Sequence, residues 1–101
     1  MYGCEMIAVE RHRQMSAEGW TPDHDDCHVN GELAYAAACY AIPVKDRSKT
    51  VMRLWPWLMK WWKPNPEDRI RELVKAGALI AAEIDRLNRI GLTDGQLSPN
   101  K

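Results

Sequence analysis

The stretch Glu18-Gly19-Trp20-Thr21-Pro22-Asp23-His24-Asp25-Asp26-Cys27-His28 gathers three aspartates, two histidines, a cysteine and a tryptophan into eleven residues. Three chemistries fit those side chains. The first is structural: the aspartates satisfy backbone N–H groups at helix starts, and Trp20 plugs the core. The second is a metal site. On a helix His24 and His28 stand one turn apart on one face, with Asp25 or Asp26 as a further ligand. Neutral imidazole with carboxylate suits zinc, manganese or iron, and the remaining ligands would come from Glu10, His12, Glu32 or Glu83. The third is a site for a small anionic or nucleotide ligand. Trp20 offers a stacking face, and Arg11 and Arg13 can pair with phosphates through two N–H groups at once. Asp25 or Asp26 can take ribose hydroxyls or a base amino group, and His28 can donate to phosphate. The backbone N–H groups after Thr21 and Asn30 are anion-binding groups in their own right.

Catalytic signatures are scarce. The chain has no Gly-x-Ser-x-Gly, no glycine-rich phosphate loop and no cysteine in a nucleophile setting. Helical nucleotide pyrophosphohydrolases hold magnesium with paired Glu-x-x-Glu and Glu-x-x-Asp motifs. Here Glu32 and Glu72 stand alone, and Glu83-x-Asp85 has a different spacing.

The elements that must position this stretch are helical. Residues 4–18 contain no Gly or Pro and read as a first helix, which Gly19 ends in a left-handed conformation. Thr21-Pro22-Asp23 is a start signal: Thr caps, Pro takes the first helical position, and Asp follows at the positive end of the dipole. Asn30 is a second start signal, for a short alanine-rich helix over 31–41 that Pro43 stops. Its small side chains allow another helix to approach closely. Lys45-Asp46-Arg47-Ser48-Lys49 reads as a mobile polar connection. In Val51–Pro66 the prolines Pro56 and Pro64 break any long helix, so short turns carry Trp55, Trp57, Trp61 and Trp62. Those rings form either a lid on the core, a pocket wall or a subunit contact.

The last helix is the clearest element. Asn65 caps it, Pro66 takes its first position, and Glu67 and Asp68 sit in its first turn. Leu73, Gly77, Ile80, Ile84 and Leu87 recur at steps of three and four, which makes one apolar face. Gly77 in mid-helix calls for a close helix crossing, and Gly91 is the expected C-cap. Glu83–Arg86 and Asp85–Arg89 read as solvated helix pairs. The fold class is therefore all-α: a small helical bundle, residues 1–91 forming one domain and 92–101 a polar tail.

The totals narrow the partners. With 101 residues the core is thin. Fourteen basic residues balance fourteen acidic ones, which argues against non-specific nucleic-acid binding. No run approaches the ~20 apolar residues of a membrane span. Cys4, Cys27 and Cys39 fit no disulfide or zinc spacing and read as reduced thiols of a cytoplasmic protein.

The Glu18–His28 stretch, followed by Gly31-Glu32-Leu33-Ala34, then Trp55-Pro56-Trp57, Trp62-Lys63-Pro64 and Leu73–Leu87, resembles a family of short proteins from tailed phages and prophages. The resemblance spans roughly residues 7–90. It implies an accessory protein acting in a bacterial cytoplasm, and it implies no reaction. Gly19-Trp20-Thr21 and Asp25-Asp26 also resemble the ryanodine-receptor repeat domain. Pro22 departs from that pattern's Tyr, and no Leu-Pro-Tyr follows. This second resemblance implies a helical fold and a nucleotide-derived ligand.

The expectation is a non-enzymatic phage protein that sequesters a small nucleotide-type signal of host antiviral defence, without a cofactor. Its pocket would use Arg11, Arg13, Trp20, Thr21, Asp25, Asp26 and His28, with an aromatic wall from Trp55 or Trp57. A homo-oligomer is expected, from the thin core and the alanine-rich faces. A metal-dependent nucleotide hydrolase built on His24, His28 and Asp25 is one alternative. A protein-binding inhibitor anchored by the tryptophans is the other.

Overall fold

The computed structural model describes residues 1–94, and these form an all-α bundle with no strand among them. Five helices follow in order: α1 (Gly3–Ala17), α2 (Pro22–Asp25), α3 (Glu32–Ala41), α4 (Ser48–Leu54) and α5 (Arg69–Asp94). Single 3₁₀ turns at Val44–Asp46 and Met59–Trp61 interrupt the connection from α3 to α5. No helix among the described residues is long and apolar enough to cross a membrane.

The 26-residue α5, about 39 Å long, is the spine. It packs mainly on α3 and then on α1. The seam with α3 is built from small side chains: Ala36 and Ala37 meet Ala76, Leu79 and Ala82, flanked by Leu33 and Tyr40. Alanine-lined helices approach closely, so few large side chains are needed to exclude water. The α1 contact is close too. A Cβ on Gly77 would lie 2.4 Å from Ile7 Cδ1 and 2.8 Å from its Cγ1, so any side chain here would force Ile7 to move. The mid-helix glycine is thereby explained.

That choice of packing face turns the large side chains of the periodic row outward, while Gly77 stays at the α1 seam. Leu73, Ile80, Ile84 and Leu87 remain between 46% and 53% exposed, while Val74, Ala76, Ala78, Leu79 and Ala82 are buried. The sequence pattern marks an apolar face correctly, but the core lies on the alanine rows beside it. Bulky branched side chains would hold α3 too far from α5 for that seam to close.

Both ends of α5 differ from expectation. The helix begins at Arg69, and Asp68 is the cap, with Oδ1 accepting from the Arg71 N–H at 3.1 Å. Asn65 is occupied elsewhere: its Oδ1 accepts from Lys75 Nζ at 2.7 Å, and its N–H donates to Glu72 at 2.9 Å. At the other end the helix passes through Gly91, which is buried and keeps a right-handed backbone, and continues to Asp94. The expected tail therefore begins with helical residues, and its part from 95 onward lies outside the described residues.

Other local expectations hold more closely. Gly19 is left-handed at φ 74°, and this turn brings the Trp20 N–H to the Gln14 carbonyl at 3.0 Å. Thr21 Oγ1 caps α2 by accepting from the His24 N–H, and Pro22 takes the first position. Before α3 the cap differs. Gly31, at φ 82°, leads into the helix, and Glu32 accepts from the Asn30 N–H at 2.6 Å in place of an Asn30 side-chain cap. The 45–49 segment is ordered into a 3₁₀ turn and the start of α4 because Arg47 is buried and donates to Glu72 at 2.6 Å.

Candidate functional site

Buried charge places the walls. The helix α1 buries no apolar side chain fully; its buried residues are Glu10, Arg11 and Gln14. Arg11 reaches Asp25 Oδ2 at 2.7 Å and the Trp20 carbonyl at 3.1 Å, which ties the corner after α1 to α2. Glu10 accepts from Arg13 at 2.8 and 2.9 Å and from Arg71 at 2.7 Å, which ties α1 to α5. Burial works to raise the Glu10 carboxyl, and the hydrogen bonds and charges of Arg13 and Arg71 outweigh it, so its pKa lies below the ordinary value. Glu72 is the matching hub for the tryptophan segment. It joins Arg47, Arg69 and the Asn65 N–H, and these partners overcome its burial to hold its pKa low as well. Arg69 also donates to the carbonyls of Tyr40 and Ala41 and so closes the end of α3.

These ties hold open a cleft of about 820 Å³ between α1, α2 and the tryptophan segment. Its aromatic wall is continuous. Trp20 and Trp57 lie 6.1 Å apart between ring centroids, His28 and Trp57 5.1 Å, Trp57 and Trp55 5.4 Å, and Trp55 and Tyr40 5.8 Å. Trp61 and Leu58 complete the lip and are exposed. Arg13, Lys63 and Lys75 supply positive charge, against Glu10 and Glu18. Lys63 is the available cation. Its ammonium stands 5.7 Å from the Trp61 ring centroid and makes no ion pair among the described residues. Lys75 is committed to Asn65 and the Lys63 carbonyl, and burial followed by the Arg71 charge lowers its pKa. Three polar atoms of lining residues have no hydrogen-bond partner: Gln14 Oε1, His28 Nε2 and Trp57 Nε1. Burial, and then the charge of His24, lowers the His28 pKa, so its imidazole is neutral near pH 7.

Of the residues predicted from sequence, Arg13, Trp20, His28, Trp55 and Trp57 line the cleft. Four do not. Arg11 and Asp25 are spent on each other in a buried pair with side chains 9% and 1% exposed. Asp26 faces outward and binds Arg89 at 2.7 Å. Thr21 is the α2 cap. The Glu83–Arg86 pair forms at 2.7 Å, but Arg86 is buried rather than solvated.

The metal alternative gathers incompletely. The His24 and His28 rings are 4.9 Å apart, edge to face, but no group of three His, Cys, Asp or Glu side chains among the described residues could hold an ion. All three cysteines are free thiols.

Sequence reasoning missed Gln14, Glu18, Tyr40, Lys63 and Lys75 on the lining, offered Glu10 only as a metal ligand, and offered Trp61 only as one of four rings. Trp61 and Lys63 were visible as part of the tryptophan run, but nothing in their spacing says that this run folds back toward Trp20 and His28. Compared with protein-family models, with curated proteins and with solved structures, the chain matches none.

Proposed function

We propose that this protein is a non-enzymatic binder that holds a small nucleotide-type ligand in the aromatic cleft. One observation carries the reading: a cleft of about 820 Å³ walled by tryptophans has an unpaired lysine at its lip. Its volume lies in the ~300–1,000 Å³ range of small-molecule sites. Aromatic rings stack on any base, at about 1–3 kcal/mol per base. Lys63 would take a phosphate. Arg13 would join it by releasing Glu18, a contact of 3.3 Å between partly exposed side chains that is easily exchanged. Neutral His28, through Nε2, and the Trp57 N–H are the natural readers of a base edge, because these two atoms lack protein partners.

The biological setting follows from the resemblance to phage proteins: a phage accessory protein in the bacterial cytoplasm that sequesters a nucleotide signal of host defence. No bond need be made or broken for that role.

A panel of mononucleotides, cyclic nucleotides and cyclic dinucleotides tests the reading by thermal shift. A true ligand at 100-fold its Kd stabilises by about 2.7 kcal/mol and raises Tm by several degrees. A flat response across the panel would reject a nucleotide.

A protein-binding inhibitor is the second reading. The observation that favours it is the exposed apolar lip of Leu58, Met59 and Trp61, from 52% to 66% exposed. Such a lip suits a hot-spot anchor.

A further inference from the structure

We propose that the outward face of α5 pairs with the same face of a second copy of this chain. Ile70, Leu73, Gly77, Ile80, Ile84 and Leu87 follow one another at steps of three, four, three, four and three. The five large side chains of this row are 46% to 64% exposed, and no charged residue interrupts it. The row runs about 26 Å along the helix.

Two properties point to a second copy rather than to a different partner. The first is self-complementarity. When two such rows run antiparallel with Leu73 opposite Ile84, Ile70 falls opposite Leu87 and Ile80 meets the Gly77 position, which Ile7 of α1 fills. Every large side chain of the row then meets an aliphatic side chain, as a two-fold interface requires. The antiparallel arrangement also sets the two helix dipoles against each other.

The second is area. The five half-open aliphatic side chains leave on the order of 500 Å² of apolar surface, near the top of what a monomer exposes. A standard interface buries about 800 Å² per partner, and the row alone supplies more than half of that. Ile7, seated at Gly77, already lies on one flank. With a formal net charge of zero, two copies approach without long-range repulsion.

The chemistry of this face differs from that of the cleft. It is aliphatic, convex and uncharged, and it shares none of the six row residues with the cleft lining. The pairing therefore leaves the ligand site open in both copies.

Sedimentation equilibrium from about 1 to 100 µM tests the proposal, because a dimer's apparent mass depends on concentration. The intact chain is expected at twice its 11.6 kDa mass. Ile84→Lys places a charge in the middle of the row at an exposed position. It is expected to return the chain to monomer mass with unchanged far-UV circular dichroism. Val29→Lys, at an exposed aliphatic residue away from α5, is expected to keep the dimer. A wild-type chain that stays at monomer mass over the whole range overturns the proposal. So does a dimer that survives Ile84→Lys, or an assembly larger than two.

Discussion

The molecule carries two apolar surfaces, and they differ in every respect that decides what a surface binds. The cleft is concave and aromatic, with two lysines, an arginine, two glutamates, two histidines and unpaired polar atoms on its lining residues. The α5 row is convex, aliphatic and free of charge. Apolar area alone does not separate them. The polar groups do: a small ligand needs a few placed donors and acceptors to fix its orientation, whereas a helix face needs only matching shape. The same sequence device underlies both. Alanine seams on α3 and α5 supply the core with small side chains, which frees the large ones for the two outer surfaces.

The largest effect is expected where both surfaces share support. Glu72 is fully buried and joins Arg47, Arg69 and the Asn65 N–H. Glu72→Ala strands the buried Arg47 guanidinium, and breaking a buried pair in this way costs about 3–5 kcal/mol. Chemical denaturation should show that loss, and both ligand retention and self-association should fall with it. Retention of either one at full strength would mean that its surface does not depend on the Glu72 hub.

Trp61→Ala should separate the two surfaces. Its ring is 52% exposed and packs on lysines rather than on the core. Loss of one stacking ring costs about 1–3 kcal/mol, or a 5- to 150-fold weaker ligand, as measured by equilibrium binding. Stability and molecular mass should not change. Gly19→Ala should act on the corner alone. It forces an L side chain into the left-handed region at a cost of about 1–2 kcal/mol, read as a lower denaturation midpoint.

The smallest effect is in pH. The His28 pKa is depressed, so the unfolded chain takes up that proton more readily than the folded one. Its contribution is complete above the ordinary value of 6.5 and is lost as pH falls below it. Glu10 and Glu72, also depressed, add a second loss below 4.5. A Tm profile should therefore be flat from pH 7 up to the ordinary thiol value of 9.0, above which the raised Cys39 and Tyr40 pKa values begin to cost stability; it should decline gently from 6.5 and drop steeply below 4.5. His28→Gln should remove only the gentle part. A profile for that variant identical to wild type would place the His28 proton outside the folding equilibrium.

How much of this was readable in the chain depends on whether the signal is local. Gly19, Thr21 and Pro22 act within a turn, and their roles are visible from their neighbours. The α5 periodicity is also local, but which way the face points is decided by α3 and α1, so the row looked like core. Arg11 and Asp25 show the same limit at the site. Each has the right chemistry for a ligand, and fourteen residues of separation hide that they neutralise each other. Lys63 shows the converse: nothing around it in the sequence marks a site, and its place beside Trp61 and the cleft comes only from the fold.

The most direct test of the central claim is release of ligand from the folded protein. Purified wild type and Trp61→Ala would each be incubated with extract of bacteria raising a nucleotide defence signal, washed, denatured by heat, and the supernatants analysed by mass spectrometry. The account predicts an intact nucleotide at near one per cleft from wild type and a strongly reduced amount from Trp61→Ala. A chemically altered nucleotide, or equal release from both proteins, would contradict it.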